Sequence, residues 1–231
     1  MMHLPYVGCG VLASAAAMDK PTTKVLLHQA GLPAGKWETV SAAQWQQDRF
    51  SVLKRLAPLG MPVFVKPARA GSSLGISKVN SADALEEAIE RAQQIDPKVI
   101  VEAELTGLEI ECAVLQGRDG RARTSEPGRI AMRSDVDFYD YQTKYFAEDA
   151  VALEIPAQIP AHLASQVRDF AGKAFEALGC EGLARVDFFV DTAKDQVVIN
   201  EVNTMPGFTP FSMYRNCGNI WGLIIRSSWK N

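Results

Sequence analysis

Two apolar periods alternate along the chain, one near 3.6 residues and one near 2, and they divide it into helices and strands. After Asp19 and Lys20, the run 21–31 reads as a helix, with Val25, Leu26 and Leu27 apolar and Gly31 as its C-terminal stop. Pro33 opens an extended stretch. Helical patterns recur at 43–56, at 81–95, where Ala84, Leu85, Ala88, Ile89 and Ala92 line one side, and at 160–178. Strand-like runs lie between them at 63–65, 75–79, 99–102 and 109–115. Two more, 185–190 and 197–203, flank a polar stretch, 191–196, that reads as a reversing loop. The apolar segment 4–18 lacks a basic leading region, contains Pro5, Gly8 and Gly10, and is too short to span a bilayer, so it reads as buried loop and helix. This order of elements predicts an α+β chain with mainly antiparallel sheets, not a doubly wound fold.

Composition narrows the partners more than the fold. The 231 residues are 47% hydrophobic and 22% charged, enough for one large domain or two small ones. A net charge of -3 supplies no basic field for nucleic acid or an anionic membrane surface, so any bound anion must be held by local groups. Cys9, Cys112, Cys180 and Cys217 form no C-x-x-C pair, and His3, His28 and His162 have no partner at metal-ligand spacing. Reduced, buried thiols of a cytoplasmic protein account for that pattern.

The candidate chemistry lies in three stretches. Alternation puts Arg185, Asp187 and Phe189 on one strand face, and Ile199, Glu201 and Asn203 together on the next strand. Across the reversing loop, Asp187, Glu201 and Asn203 can converge as an all-oxygen donor set suited to a hard cation such as Mg²⁺. A hairpin whose acids merely face water remains the alternative. The turn 204–210, with Pro206, Gly207 and Pro210, can present backbone N–H groups beside such a site. The second stretch is a strand ending in Lys66, followed by Gly71, Ser72, Ser73 and Gly75. Its amides can approach phosphate oxygens while Lys66 supplies a point charge, although a plain connector would read the same way. It is not a Walker loop, since no helix with Gly-Lys-Ser/Thr follows. The third, 138–145, crowds Tyr139, Tyr141, Lys144 and Tyr145 into a polar region, either as a closing lid or by local packing.

Several motifs in order carry a resemblance: Leu4 to Gly8, Met18-Asp19-Lys20, Val65-Lys66-Pro67 with Gly71 to Gly75, Glu109 to Cys112, Phe138 to Tyr145, Ala184 to Asp187, and Asn200 to Phe208 continuing to Tyr214. Together they resemble the D-alanine–D-alanine ligases of the ATP-grasp superfamily. The resemblance implies a pair of α+β subdomains clasping ATP, and an enzyme that joins two D-alanines through an acyl phosphate for peptidoglycan precursor synthesis. Lys20 and Lys66 would contact the phosphates, with Gly71, Ser73 and Gly75 closing over them. Glu102, Ala103 and Leu105 would hold adenine, and Glu109 the ribose. Asp187, Glu201 and Asn203 would bind two Mg²⁺ (or Mn²⁺) ions. Arg185 and the Gly207 amide would stabilise the oxyanion. Ser72 and Tyr145 would orient the attacking amine, Lys144 would support the lid, and Ser212 and Met213 would hold the second substrate. Cytoplasmic location, homodimers, and no nucleic-acid or membrane partner are further implications.

The same resemblance divides the chain into 1–19, the end of an N-terminal α/β lobe that is otherwise absent, 20–104, 105–214, and an aberrant tail, 215–231. Without that lobe the first-substrate pocket would lack a wall and apolar surface would be exposed. Such a chain could be a non-catalytic remnant that at most binds Mg-ATP. D-serine or D-lactate as second substrate is the other alternative, with the tyrosine-rich lid closer to the dipeptide-forming members. Residues from Arg215 onward lack a helical period. One permitted choice of codons for 215–229, read with a single nucleotide added in front, encodes a family-like tail, so a one-nucleotide deletion near codon 215 is the expectation. Arg129 stands where family members commonly carry an acid.

Overall fold

The computed structural model describes residues 6–132, 151–209 and 212–219. In chain order the elements begin with α1 (Val11–Met18), α2 (Lys20–Gln29), β1 (Trp37–Ser41), α3 (Ala42–Gln47) and α4 (Arg49–Leu56). Then come β2 (Val63–Pro67), β3 (Ser77–Val79), α5 (Leu85–Gln93) and β4 (Lys98–Ala103). The second half contains β5 (Leu108–Gln116), β6 (Ala122–Thr124), β7 (Gly128–Met132), β8 (Val151–Glu154), α6 (Ala161–Ala177), β9 (Leu183–Asp191), β10 (Gln196–Asn203) and α7 (Met213–Asn219).

Two sheets result, and every pairing within them is antiparallel, as the sequence predicts. The first has the order β1-β4-β2-β3. Its period-2 apolar positions Val40, Val63, Val65, Val79, Val99 and Val101 face a layer made by Trp45, Val52, Leu56, Leu85, Ala88 and Ile89 of α3, α4 and α5. The predicted single helix over 43–56 is two helices. Asp48 ends α3, and its carboxylate accepts the Ser51 N–H at 3.0 Å to start α4. A capping box between Ser41 and Gln44 starts α3.

The second sheet has the order β10-β9-β5-β7-β8, with β6 paired to β5. Ile110, Cys112, Val114, Val186, Phe188, Val190, Val197, Ile199 and Val202 form its buried face, covered by Leu163, Val167, Ala171, Ala174 and Phe175 of α6. Leu27 of α2 joins this core, and Ile199 N–H donates to Pro33 at 2.8 Å, so the chain before β1 is tied to the second sheet. Lys24, three residues from Leu27 and on the same side of α2, is also buried and reaches Glu102 of the first sheet, which matters for the site below.

Two expectations fail here. Of the described residues 6–18, Cys9 and Ala13 are buried, but Val11 and Leu12 are each 82% exposed and Tyr6, Val7 and Met18 also face solvent, so the segment is loop and helix as expected but only partly buried. A short alanine-rich helix has one side to bury, and the rest of its apolar surface is open. The chain after Arg215 is not devoid of helix either. α7 runs to Asn219 because Met213, Tyr214 and Cys217 bury one side against the second sheet, and Tyr214 donates its hydroxyl to Val114 at 3.1 Å. Strands β1, β6, β7 and β8 have only three to five residues each, too short to stand out in the sequence.

Candidate active site

The hairpin of β9 and β10 brings the predicted acids together by a device the sequence period does not reveal. Asp187 pairs with Glu201 and Arg185 with Asn203, but Ile199 pairs with Phe188, because a β-bulge lies between Ile199 and Glu201. One extra residue switches the face. Ile199 is therefore fully buried with Phe188, not grouped with Glu201 and Asn203 as strict alternation implies. Without the bulge, Glu201 and Asn203 would follow Ile199 into the core.

On the opposite face, Asn203 Nδ2 donates to Asp187 at 2.9 Å and to Glu201 at 3.4 Å. Arg185 lies beside them, its Nε and Nη2 donating to the two Asp187 oxygens at 2.7 and 2.6 Å. Arg185 Nε also pairs with Glu111 at 2.9 Å. Burial works against the Arg185 charge, yet Asp187, Glu111 and Glu201 together hold its pKa above the ordinary guanidinium value. Glu111 is a site residue that had no role assigned. Its signal was present in Glu109-Ile110-Glu111, whose alternation puts both acids on one strand face, and β5 lies next to β9 with Glu111 opposite Asp187.

The nucleotide-side candidates gather on the first sheet. Lys66 of β2 and Glu102 of β4 share the face away from the helical layer, and Lys66 Nζ lies 2.5 Å from Glu102 Oε2. Burial would raise the Glu102 carboxyl, but Lys66 and Lys24 hold it down at about 2. Lys20, at the start of α2, donates to the Ala70 carbonyl at 2.6 Å. Burial lowers its pKa, opposed by the charge of Glu201 and reinforced by Lys66, so Lys20 faces groups of both sheets. Ala103 ends β4, with its N–H held by the Lys36 carbonyl at 3.0 Å, and Leu105 lies in the link from one sheet to the other. Glu109 is exposed on β5.

The loop at 71–75 is shaped by left-handed backbone. Ser72 and Ser73 take φ of 50° and 58°, and Gly75 takes 72°. Two consecutive non-glycine residues in this region are strained, a feature that clusters at ligand clamps. At Gly75 a Cβ would lie 2.3 Å from Ile95 Cδ1 and 2.9 Å from the Pro67 ring, so these side chains would have to shift, and its φ of 72° disfavours any other residue. The Asp96 carboxylate anchors the loop base by accepting from Arg69 N, Nε and Nη2.

At the far end, Ser212 Oγ accepts the Thr209 N–H at 2.9 Å, and a Cβ on Gly207 would meet that same oxygen at 2.9 Å. Gly207 and Ser212 therefore adjoin. Met213 turns its side chain into the core beside Tyr214 and Cys217. Lys144, Tyr145 and the rest of the tyrosine-rich stretch lie outside the described residues, as does the tail beyond 219. Arg129 pairs with Glu154 across β7 and β8 at 3.6 Å. All four cysteines are free and buried, as the sequence predicts.

The family described as D-ala D-ala ligase C-terminus matches residues 26–226, which includes most of the segment set apart as a tail. The chain belongs to the D-alanine–D-alanine ligase family. It is 53% identical over 212 residues to the D-alanine–D-alanine ligase of Kineococcus radiotolerans, covering 90% of this chain and 56% of that protein. It is 54% identical over 211 residues to the ligase of Pseudarthrobacter chlorophenolicus, covering 90% and 55%. Among solved structures, the VanG D-Ala:D-Ser ligase from Enterococcus faecalis superposes with a TM-score of 0.82 at 38% identity, over 95% of this chain and 62% of that one. The D-alanine–D-alanine ligase from Coxiella burnetii gives 0.78 at 34%, over 95% and 56%. The fold is thus the ATP-grasp arrangement of this family, and the chain spans a little over half the length of the curated relatives it matches.

Family members use ATP with a divalent metal, and the donor set here fits one. Asp187, Glu201 and Asn203 offer oxygen donors without sulfur or imidazole, and both carboxylates converge on one amide group. Among the described residues there is no group of three or more His, Cys, Asp or Glu placed to hold a metal. Also among the described residues, no helix is long and apolar enough to cross a membrane.

Proposed function

We propose that this chain supplies the nucleotide-binding and bond-forming part of an ATP-dependent D-alanine–D-alanine ligase. The observation that carries this reading is the bulged hairpin, which presents Asp187, Glu201 and Asn203 beside Arg185 on one open face. In this reading a D-alanine carboxylate oxygen attacks the γ-phosphorus of ATP and ADP leaves, forming an acyl phosphate. The amine of a second D-alanine then attacks the acyl carbon and loses a proton, and inorganic phosphate departs with its bonding electrons. Asp187, Glu201 and Asn203 would hold Mg²⁺ (or Mn²⁺), which would supply neutralisation of phosphate charge.

The chain's own groups do the rest. Lys20 and Lys66 hold phosphate oxygens, and the loop from Gly71 through Ser73 to Gly75 covers them. Glu102 and the backbone at Ala103 and Leu105 receive the adenine, and Glu109 the ribose. Arg185 and the Gly207 amide face the oxyanion, a position where one lost donor typically costs about 10²–10³ in rate. Ser72 and Tyr145 orient the incoming amine, Lys144 steadies the covering segment, and Ser212 with the Met213 backbone receives the second carboxylate. The reaction is cytoplasmic and serves peptidoglycan synthesis. The VanG likeness supports a second reading in which D-serine is the second substrate.

Phosphate release from Mg-ATP by the 231-residue chain, with D-alanine, with D-alanine plus D-serine, and with neither, tests the proposal. Release that requires D-alanine supports the ligase reading, and D-alanyl-D-serine as the main product selects the second. A folded chain that binds no Mg-ATP refutes both.

A further inference from the structure

Lys24 has no role in the family resemblance, and it is among the most buried charges in the molecule. It sits on α2 with its side chain 3% exposed, and its Nζ lies 2.7 Å from Glu102 Oε1. Lys66 holds the other oxygen of the same carboxylate. The surroundings are apolar and aromatic. On β4, Glu102 pairs with Trp37 of β1 and with Phe64 of β2. Lys24 Nζ stands 5.9 Å from the Trp37 ring centroid and Lys66 Nζ 5.7 Å from that of Phe64. One carboxylate thus serves two ammonium groups of different character. The Lys66 side chain is 16% exposed and borders the phosphate loop, whereas Lys24 is sealed beneath the helix.

This asymmetry has a consequence for ligand binding. A phosphate that recruits Lys66 must draw its ammonium away from Glu102. A carboxylate left in that apolar pocket with no cation would be costly, since breaking a buried pair leaves an uncompensated charge. With Lys24 in place, Glu102 keeps a counter-ion whether or not Lys66 is engaged. We infer that Lys24 is a positioning residue for nucleotide binding: the permanent counter-ion of Glu102, which frees Lys66 to move to a phosphate. The inference rests on the nucleotide-binding reading above and adds to it a residue that never touches the ligand.

The test is isothermal titration of the 231-residue chain and its variants with Mg-ATP, with folding checked by circular dichroism. Lys24→Met is expected to raise the dissociation constant by about 10-fold or more, because Lys66 is then bound to Glu102 as its sole cation. Lys24→Arg, which restores a cation at the same place, is expected to bind within about 3-fold of the unmodified chain. A packing role for Lys24 would be filled by the similarly shaped methionine and would need no charge. Should Lys24→Met fail to fold, Lys24→Gln replaces it, keeping a donor without the charge, and the same comparison with Lys24→Arg decides. If the unmodified chain binds Mg-ATP and Lys24→Met binds equally well, or if Lys24→Arg is as weak as Lys24→Met, the inference is wrong and the nucleotide-binding reading stands. If the unmodified folded chain binds no Mg-ATP, both are wrong.

Discussion

Asp96 offers a quantitative check on how the base of the phosphate loop is held. It lies in the turn between α5 and β4, 4% exposed. One oxygen accepts Arg69 N and Nε, each at 2.9 Å, and the other accepts Arg69 Nη2 at 2.6 Å and Lys98 N at 2.9 Å. The Arg69 guanidinium, aided by the two backbone N–H groups and opposed by burial, lowers the Asp96 pKa from 3.8 to about 2. At about 1.4 kcal/mol per unit, that fall corresponds to roughly 2.5 kcal/mol of stabilisation. The Arg69 side chain is half exposed, so water screens the pair, and we expect about 1–2 kcal/mol. Asp96→Asn removes the charge and turns an N–H donor toward groups that are themselves donors. Because the folded-state pKa is depressed, the stabilisation is present above the unfolded value near 3.8 and is lost as pH falls through about 2. Urea unfolding of both proteins at pH 7 should therefore show the full gap, which narrows below pH 4 and closes near pH 2. A gap under about 0.5 kcal/mol at pH 7, or one unchanged at pH 2, would refute the argument.

Three further outcomes follow from the same coordinates. Gly107 has φ of +124°, and a Cβ there would lie 2.5 Å from the Val190 carbonyl oxygen, so Gly107→Ala should cost about 2–4 kcal/mol in thermal unfolding. An unchanged melting temperature would show that the link between the sheets yields more easily than its geometry implies. Glu201→Gln should raise the Mg²⁺ concentration needed for half-maximal ATP binding by about 10-fold or more, while a Mg²⁺ dependence like that of the unmodified chain would remove Glu201 from the metal site. Burial pushes the Cys112 thiol up to about 12, so iodoacetamide at pH 8 should leave it unlabelled in the folded chain and label it in urea, as read by peptide mass. Labelling at equal rates in both states would contradict its burial.

Much of the fold was legible because the period-2 and period-3.6 apolar runs are long where burial is one-sided. The stripe on α5, the run in α6 and the alternation in β2, β4, β5 and β9 each match an observed core face. Asp187, Glu201, Asn203, Lys66 and the Gly/Ser loop could be nominated from residue type and order alone. Elements held by pairing rather than by their own pattern were not legible. β6 has three residues and no buried ones, and β7 and β8, with five and four residues, are too short for an alternation to show. α7 forms because three side chains find a pocket against the second sheet, a fact that no window of its own sequence contains.

The sequence by itself determined the residue inventory, the antiparallel α+β architecture and the family, since these depend on local period and on ordered motifs. Tertiary structure alone decided three matters. A single bulge turned Glu201 and Asn203 away from the core that claims Ile199, and strand neighbours brought Glu111 to Arg185. The third was the packing of α2 across both sheets, which set Lys24 beneath Glu102. Each depends on which side of a backbone a side chain leaves and on what lies opposite it, and residues far apart in the chain settle that through packing.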